Sequence, residues 1–152
     1  MSDNFTPHPL SDELLAAGIP AEHHGLLGPH GVGALVAKMG IVFTHMSVDS
    51  MVATMPVEGN TQVTGLLHGG AHVVLAETLG SFAAAFHAGL DSRVVGIEIN
   101  ATHHRGISAG LVTGTATPIH LGRTLATHQV VMTDSAGRAL STCRITNMIL
   151  SR

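Results

Sequence analysis

The pattern of apolar and polar residues changes near residue 38. Residues 1–37 are rich in Pro, Gly and His, and their one helix signal is a short run at 11–17 that opens with acidic residues and stops at a Gly. From residue 39 onward, long apolar runs follow one another with short polar breaks. We therefore expect an N-terminal arm with a short helix, followed by a single domain over residues 38–152.

Within that domain, β-rich runs lie on both sides of one long helical run. Two of them precede the helix and are joined by Asp49 and Ser50, which predicts a hairpin. Four follow it, separated by short Gly-containing segments, and predict an antiparallel meander. The predicted strands cover residues 41–47, 51–57, 94–103, 111–121, 124–133 and 138–150.

The helical run covers residues 69–88 and is apolar along one face. That face recurs at the three- and four-residue spacing of a core-facing helix and consists of Ala71, Leu75, Leu79, Phe82 and Phe86. This order of elements predicts the α+β class, with a curved, six-stranded antiparallel sheet wrapped around one long central helix. Such a sheet covers only part of the helix, so we expect a second copy of the chain to cover the rest.

Composition and charge narrow the class further. The chain is 45% hydrophobic but only 3% aromatic, with no Trp or Tyr, so aliphatic side chains and Met must form the core. The net charge is −3, and the seven Lys and Arg residues form no run, which argues against a nucleic-acid partner.

The cysteine count and the N-terminus indicate a compartment. The single cysteine, Cys143, excludes an intrachain disulfide and a zinc site built of cysteines. The first residues do not read as a signal peptide, and no stretch approaches the ~18 apolar residues of a membrane span. We therefore expect a cytoplasmic protein that does not enter membranes.

Glu77 is the residue that most clearly indicates chemistry. It is the only Asp, Glu, Lys or Arg between Glu58 and Asp91, and it lies in the middle of the apolar helix. A carboxylate is rarely placed in such surroundings without a function, and a poorly hydrated one is a strong base or nucleophile. The alternative is that Glu77 faces water from an exposed stripe. Ser81, four residues later, shares the face of Glu77.

The start of the helix carries the tripeptide His68-Gly69-Gly70. The first amides of a helix have no partner inside it and lie at the positive end of its dipole, so the Gly69 N–H could bind an oxyanion. A Gly there also lets a carbonyl group approach the backbone. The same tripeptide is compatible with a flexible helix end and nothing more.

Several groups of polar residues are spaced as in a known enzyme family. They are Gln62, the tripeptide His68-Gly69-Gly70, Glu77, Ser81, the run from Asn100 to Arg105 and the run from His120 to Arg123. This pattern resembles the PaaI-type hotdog-fold thioesterases, nearest the branch of 1,4-dihydroxy-2-naphthoyl-CoA and 4-hydroxybenzoyl-CoA thioesterases. The resemblance extends over about residues 39–150. The chain departs from it at Gly106, where relatives often have Pro, and at His128, where many have Trp.

The resemblance implies an acyl-CoA thioesterase with Glu77 as nucleophile or general base and with the Gly69 N–H polarising the thioester carbonyl. It implies that Gln62 and His68 position this carbonyl and that Ser81 orients the attacking water. The CoA part of the substrate would be held by His103, His104, Arg105 and Gly106, and by His120, Leu121, Gly122, Arg123, Thr124 and Leu125.

Some alternatives stay open. No metal or organic cofactor is expected: His68 and His72 have the spacing of paired helical zinc ligands, but Gly69 replaces the Glu of a His-Glu-x-x-His site. Arg105 and Arg123 could be solvated surface residues rather than phosphate ligands. The protein could also be a hotdog hydratase or dehydratase, or a non-catalytic acyl-CoA-binding protein. The acyl group is not identified, and the expected aryl- or medium-chain acyl-CoA follows from the resemblance.

Helix geometry indicates that two chains share each site. Gly69 and Glu77 are eight residues apart, which corresponds to ~12 Å along one helix. Two antiparallel helices across a two-fold axis would bring Glu77 and Ser81 of one chain level with Gln62, His68 and Gly69 of the other. We therefore expect an obligate dimer with shared sites, and the resemblance implies that dimers pair into a tetramer.

Overall fold

A six-stranded antiparallel sheet with one long helix against it forms the core of the computed structural model, which describes residues 9–151. The helices are α1 (Ser11–Ala16), a 3₁₀ helix (Ala21–Leu26), α2 (Ala34–Lys38) and α3 (Gly69–Ala88). The strands are β1 (Val42–Met46), β2 (Met51–Pro56), β3 (Ser92–His103), β4 (Leu111–Leu121), β5 (Leu125–Thr133) and β6 (Ala139–Ser151). The predicted fold class and six strands are confirmed. Across residues 9–151, no helix has the length and apolar character needed to span a membrane.

α3 begins and ends where the sequence predicts. His68 precedes it in an extended conformation and caps it, and Gly89 follows it at a φ of 77°, which a Gly adopts without strain. Gly80 allows the helix to lie close to the sheet, because a Cβ at this position would overlap Ile145 Cγ2 of β6. All members of the predicted apolar face are in the core or pack against it: Ala71, Leu75, Leu79, Phe82 and Phe86.

The strand order is β1-β2-β4-β5-β6-β3, which corrects the predicted four-strand meander. β4, β5 and β6 do form a meander, but β3 pairs with β6 at the sheet edge instead of with β4. Residues 104–110 carry the chain between them, where the Leu67 N–H donates to Ile107 O at 2.8 Å and the His104 N–H donates to Leu140 O at 2.8 Å. Tertiary contacts rather than a tight turn hold this connection, so a rule that pairs consecutive strands fails here.

β3 is an open edge strand. It is 12 residues long, and its exposed side chains include Val95 at 48% and Ile97 at 51% exposure. A long edge with apolar side chains and unpaired backbone groups favours pairing with another chain.

The N-terminal segment contains the predicted helix and two that were not predicted, the 3₁₀ helix and α2. Five of its apolar side chains belong to the same buried cluster as α3, namely Leu14, Ala17, Ile19, Val32 and Val36. The Phe43 N–H of β1 also donates to Ala17 O at 2.8 Å. Through these contacts, the segment is packed against the core of the domain.

Candidate active site

Glu77 lies in the middle of α3 with its carboxylate against β3. A Cβ at Gly96 would overlap Glu77 Oε1, so the carboxylate rests on bare strand backbone. The side chain is half-buried rather than part of an exposed stripe, and burial raises the pKa of Glu77. No Lys or Arg in residues 9–151 forms an ion pair with it. The carboxylate is therefore poorly hydrated and uncompensated, which increases its basicity.

Ser81 lies one turn after Glu77 and is hydrogen-bonded to Asn147 of β6. The Ser81 Oγ–H donates to Asn147 Oδ1 at 3.2 Å, and Asn147 Nδ2 donates to Gly80 O at 3.3 Å. Because a carbonyl oxygen can only accept, the second bond determines the orientation of the buried Asn147 amide. The proton of Ser81 is thus engaged, and its lone pairs can accept a hydrogen bond from a water beside Glu77.

His68 caps the start of α3. Its Nδ1 accepts a hydrogen bond from the Gly70 N–H at 2.8 Å. The neutral ring therefore carries its proton on Nε2 and offers a donor there. The preceding amide, the Gly69 N–H, is one of those that a helix leaves without an internal partner.

Gln62 and Gly69 share a cleft of about 300 Å³ with the first predicted CoA-binding group. His68 does not line this cleft but a neighbouring depression, together with Gly70 and Val74. The cleft is lined by Gln62, Leu66, Leu67, Gly69, His72, His103, His104, Arg105 and Gly106. One chain therefore brings together two of the predicted catalytic residues and residues 103–106.

His103 is the ring nearest to Gly69, with its Nε2 2.8 Å from the position of a Cβ there. Ser141 Oγ donates its proton to Thr102 O at 3.1 Å, so in its 3.0 Å bond with His103 Nδ1 the ring must be the donor. In the neutral ring, Nε2 of His103 is therefore an acceptor beside Gly69. His72 packs next to it, with ring centroids 5.4 Å apart, and burial and the nearby His103 lower the pKa of His72 to about 4. Among the residues described, no three His, Cys, Asp or Glu side chains could together hold a metal ion.

The second predicted CoA-binding group lies at the other end of α3. Gly122, Arg123 and Thr124 line a cleft of about 390 Å³ together with His87, whose Nε2 bonds to Gly122 O at 2.9 Å. Flanking them are His120 and Leu121 at the end of β4 and Leu125 at the start of β5. His87 is 18 residues beyond Gly69, which corresponds to ~27 Å along the helix. One chain therefore does not bring the two CoA-binding groups together.

Three residues that contact the predicted site residues or line their cleft were not predicted as part of the site: Gly96, Asn147 and His72. Gly96 carried a usable signal, because an isolated Gly inside a strand pattern often marks a close approach. Asn147 has no such local signal in the sequence, because its contact with Ser81 spans 66 residues of chain. His72 was considered only as a zinc ligand, and its burial against His103 depends on where β3 ends.

Comparisons with known proteins agree with this architecture. Residues 64–141 match the Thioesterase superfamily. Over 125 residues the chain is 46% identical to the proofreading thioesterase EntH of Cronobacter sakazakii, covering 82% of this chain and 91% of that protein. A thioesterase of Haemophilus influenzae has a TM-score of 0.74 at 37% identity, covering 77% of this chain and 82% of that one. A variant thioesterase of Pseudomonas aeruginosa has a TM-score of 0.75 at 38% identity, with coverage of 78% and 86%.

Proposed function

Since the chain belongs to the thioesterase superfamily and is therefore a thioester hydrolase, we propose that it hydrolyses an acyl-CoA to a carboxylic acid and free CoA. The observation that carries this proposal is the unpaired, half-buried Glu77 carboxylate, which rests on Gly96 one turn from Ser81. The proposed reaction uses no metal or organic cofactor, because a base, a water and a backbone amide are sufficient for it.

The reaction begins with a water held between Glu77 and Ser81. This water donates one hydrogen bond to Ser81 Oγ and passes its other proton to Glu77 as its oxygen attacks the thioester carbon. The Gly69 N–H stabilises the oxyanion of the tetrahedral intermediate, and Gln62 and His68 position the carbonyl. The C–S bond then breaks, and Glu77 returns the proton to the departing thiolate.

Direct attack by Glu77 on the thioester carbon is the other route, and it forms a mixed anhydride. The engaged proton of Ser81 supports the water route, because Ser81 can then accept a hydrogen bond from water but cannot donate one to a thioester carbonyl. A single turnover in H₂¹⁸O followed by mass spectrometry of the Glu77 peptide distinguishes the routes. We expect label in the product acid only, whereas label in Glu77 would establish the anhydride.

We further propose that each site combines residues of two chains and that dimers pair into a tetramer. Within one chain Glu77 lies ~12 Å along α3 from Gly69, and the two CoA-binding groups lie at opposite ends of the same helix. An antiparallel helix pair across a two-fold axis would remove both separations. The open edge of β3 supports such a pairing, because its apolar side chains Val95 and Ile97 are exposed.

A thiol-release screen over aryl, fatty and short-chain CoA esters tests the proposed function. Glu77→Gln preserves the shape of the side chain but removes the base, so kcat should fall by about 10²–10⁴-fold. Glu58→Gln is the matched control, because Glu58 is an exposed carboxylate that lines none of the clefts described above and should be dispensable. Hydrolysis that survives Glu77→Gln, or no thiol release from any ester, would refute the proposal.

A further inference from the structure

An apolar cavity of about 170 Å³ lies between the N-terminal 3₁₀ helix and the second half of α3. α3 and β3 form one side of it, and the 3₁₀ helix with the residue that follows it forms the opposite wall. Ser81, Ala85 and Val94 lie on the first side, and His23, Leu26 and Leu27 lie on the wall.

The cavity adjoins the surroundings of Glu77. Ser81 is one helical turn beyond Glu77 on the same face of α3. Val94 is two residues before Gly96, and alternate residues of a strand share a face. Both residues line the cavity, so it begins one turn from the carboxylate. An acyl group whose carbonyl lies at Glu77 can therefore extend into it.

The wall is anchored rather than loosely attached. Ile19 and His24 are 1% and 3% exposed, and His24 Nε2 is hydrogen-bonded to Ile19 O at 3.0 Å. The His23 ring packs edge-on against Phe86 of α3, with centroids 4.9 Å apart and an interplanar angle of 66°. The 3₁₀ helix thus has a defined position against α3 at the cavity.

We propose that the 3₁₀ helix is the end wall of the acyl-binding site and limits the acyl group to about the size of one aromatic ring. This inference rests on the proposed function. A dry apolar cavity of ~150 Å³ is sufficient to bind benzene, so 170 Å³ accommodates one ring, whereas a long aliphatic chain would have to displace the wall. The edge-on rings of His23 and Phe86 also suit contact with a third ring. The 3₁₀ helix therefore sets the upper size of the acyl group.

The test compares kcat/KM for acetyl-CoA, benzoyl-CoA and dodecanoyl-CoA. Leu26→Ala enlarges the cavity and should raise the dodecanoyl-to-benzoyl ratio about tenfold or more, the discrimination that a methylene-sized change in an apolar pocket produces. Ala85→Leu narrows the cavity and should lower kcat/KM for benzoyl-CoA by a similar factor, so the benzoyl-to-acetyl ratio of kcat/KM should fall because acetyl-CoA ends before the cavity. The matched control is Leu15→Ala in α1, because the Leu15 side chain is 55% exposed. This variant should change neither the dodecanoyl-to-benzoyl ratio nor the benzoyl-to-acetyl ratio of kcat/KM.

Unchanged ratios in both cavity variants, with hydrolysis still dependent on Glu77, would overturn the end wall and leave the proposed function intact. If no acyl-CoA is hydrolysed, the proposed function fails, and calorimetric binding of the stable analogue S-phenacyl-CoA decides the inference. Binding weakened tenfold or more by Ala85→Leu would support the end wall. Equal binding by wild type and variant would overturn it.

Discussion

Replacing Gly96 with Ala should disable Glu77 without changing it. The added methyl group would overlap Glu77 Oε1, and normal van der Waals separation requires the carboxylate to move by about 1 Å. A misplacement of that size at a reacting group costs about 10²-fold in rate, so kcat should fall about 100-fold. The strand backbone should tolerate the change, because the φ of Gly96 is not positive.

Thiol release measures this effect, and thermal unfolding shows whether the variant is folded. Gly28→Ala is the matched control, because a Cβ there meets no atom within 4 Å and the φ of Gly28 is not positive. The control should keep the wild-type kcat. A folded Gly96→Ala protein with undiminished kcat would show that contact of the carboxylate with β3 has no part in catalysis.

Mixed dimers of Glu77→Ala and Gln62→Ala/Gly69→Pro subunits should regain activity, at most about half of wild type, if two chains share each site; no recovery after demonstrated subunit exchange would contradict this. Arg123→Ala should raise KM in steady-state assays with little effect on kcat, because the proposed contact with a CoA phosphate would be lost; an unchanged KM would exclude Arg123 from CoA binding. Burial lowers the pKa of His128, so the contribution of its neutral ring to the free energy of unfolding is fully present above about pH 6.5. This contribution is lost as the pH decreases, by up to about 1.4 kcal/mol per pH unit. Urea unfolding at pH 7 and pH 5 measures this loss, and His128→Leu should reduce the difference in the free energy of unfolding between the two pH values. An unchanged difference would contradict the assignment to His128.

The features that the sequence predicted are those that local patterns determine. α3 was predictable because an apolar run bounded by Gly69 and Gly89 is too long for one strand and repeats at helical spacing. Glu77 was identifiable because no other charge occurs near it in the chain. The roles of the residues around it stay predictions, which the variants above test.

The features that were missed depend on contacts between distant parts of the chain. β3 lies beside β6 because residues 104–110 are held by Leu67 and Leu140, and neither contact leaves a local signature. Asn147 is one of several polar residues on β6, and only its position under α3 distinguishes it. The 3₁₀ helix is rich in His and follows a Pro, so it reads as a loop until its packing is known.

The end wall and the carboxylate come from separate parts of the chain, and this separation has an evolutionary consequence. The 3₁₀ helix precedes every strand of the sheet, so an insertion or deletion near residues 20–33 shifts no strand register. Residues 28–30 of this region are exposed, and exposed segments tolerate such changes far better than strands do. Lineages that share the same hydrolytic residues can therefore diverge in the acyl groups they accept, one small step at a time, without passing through an inactive ancestor.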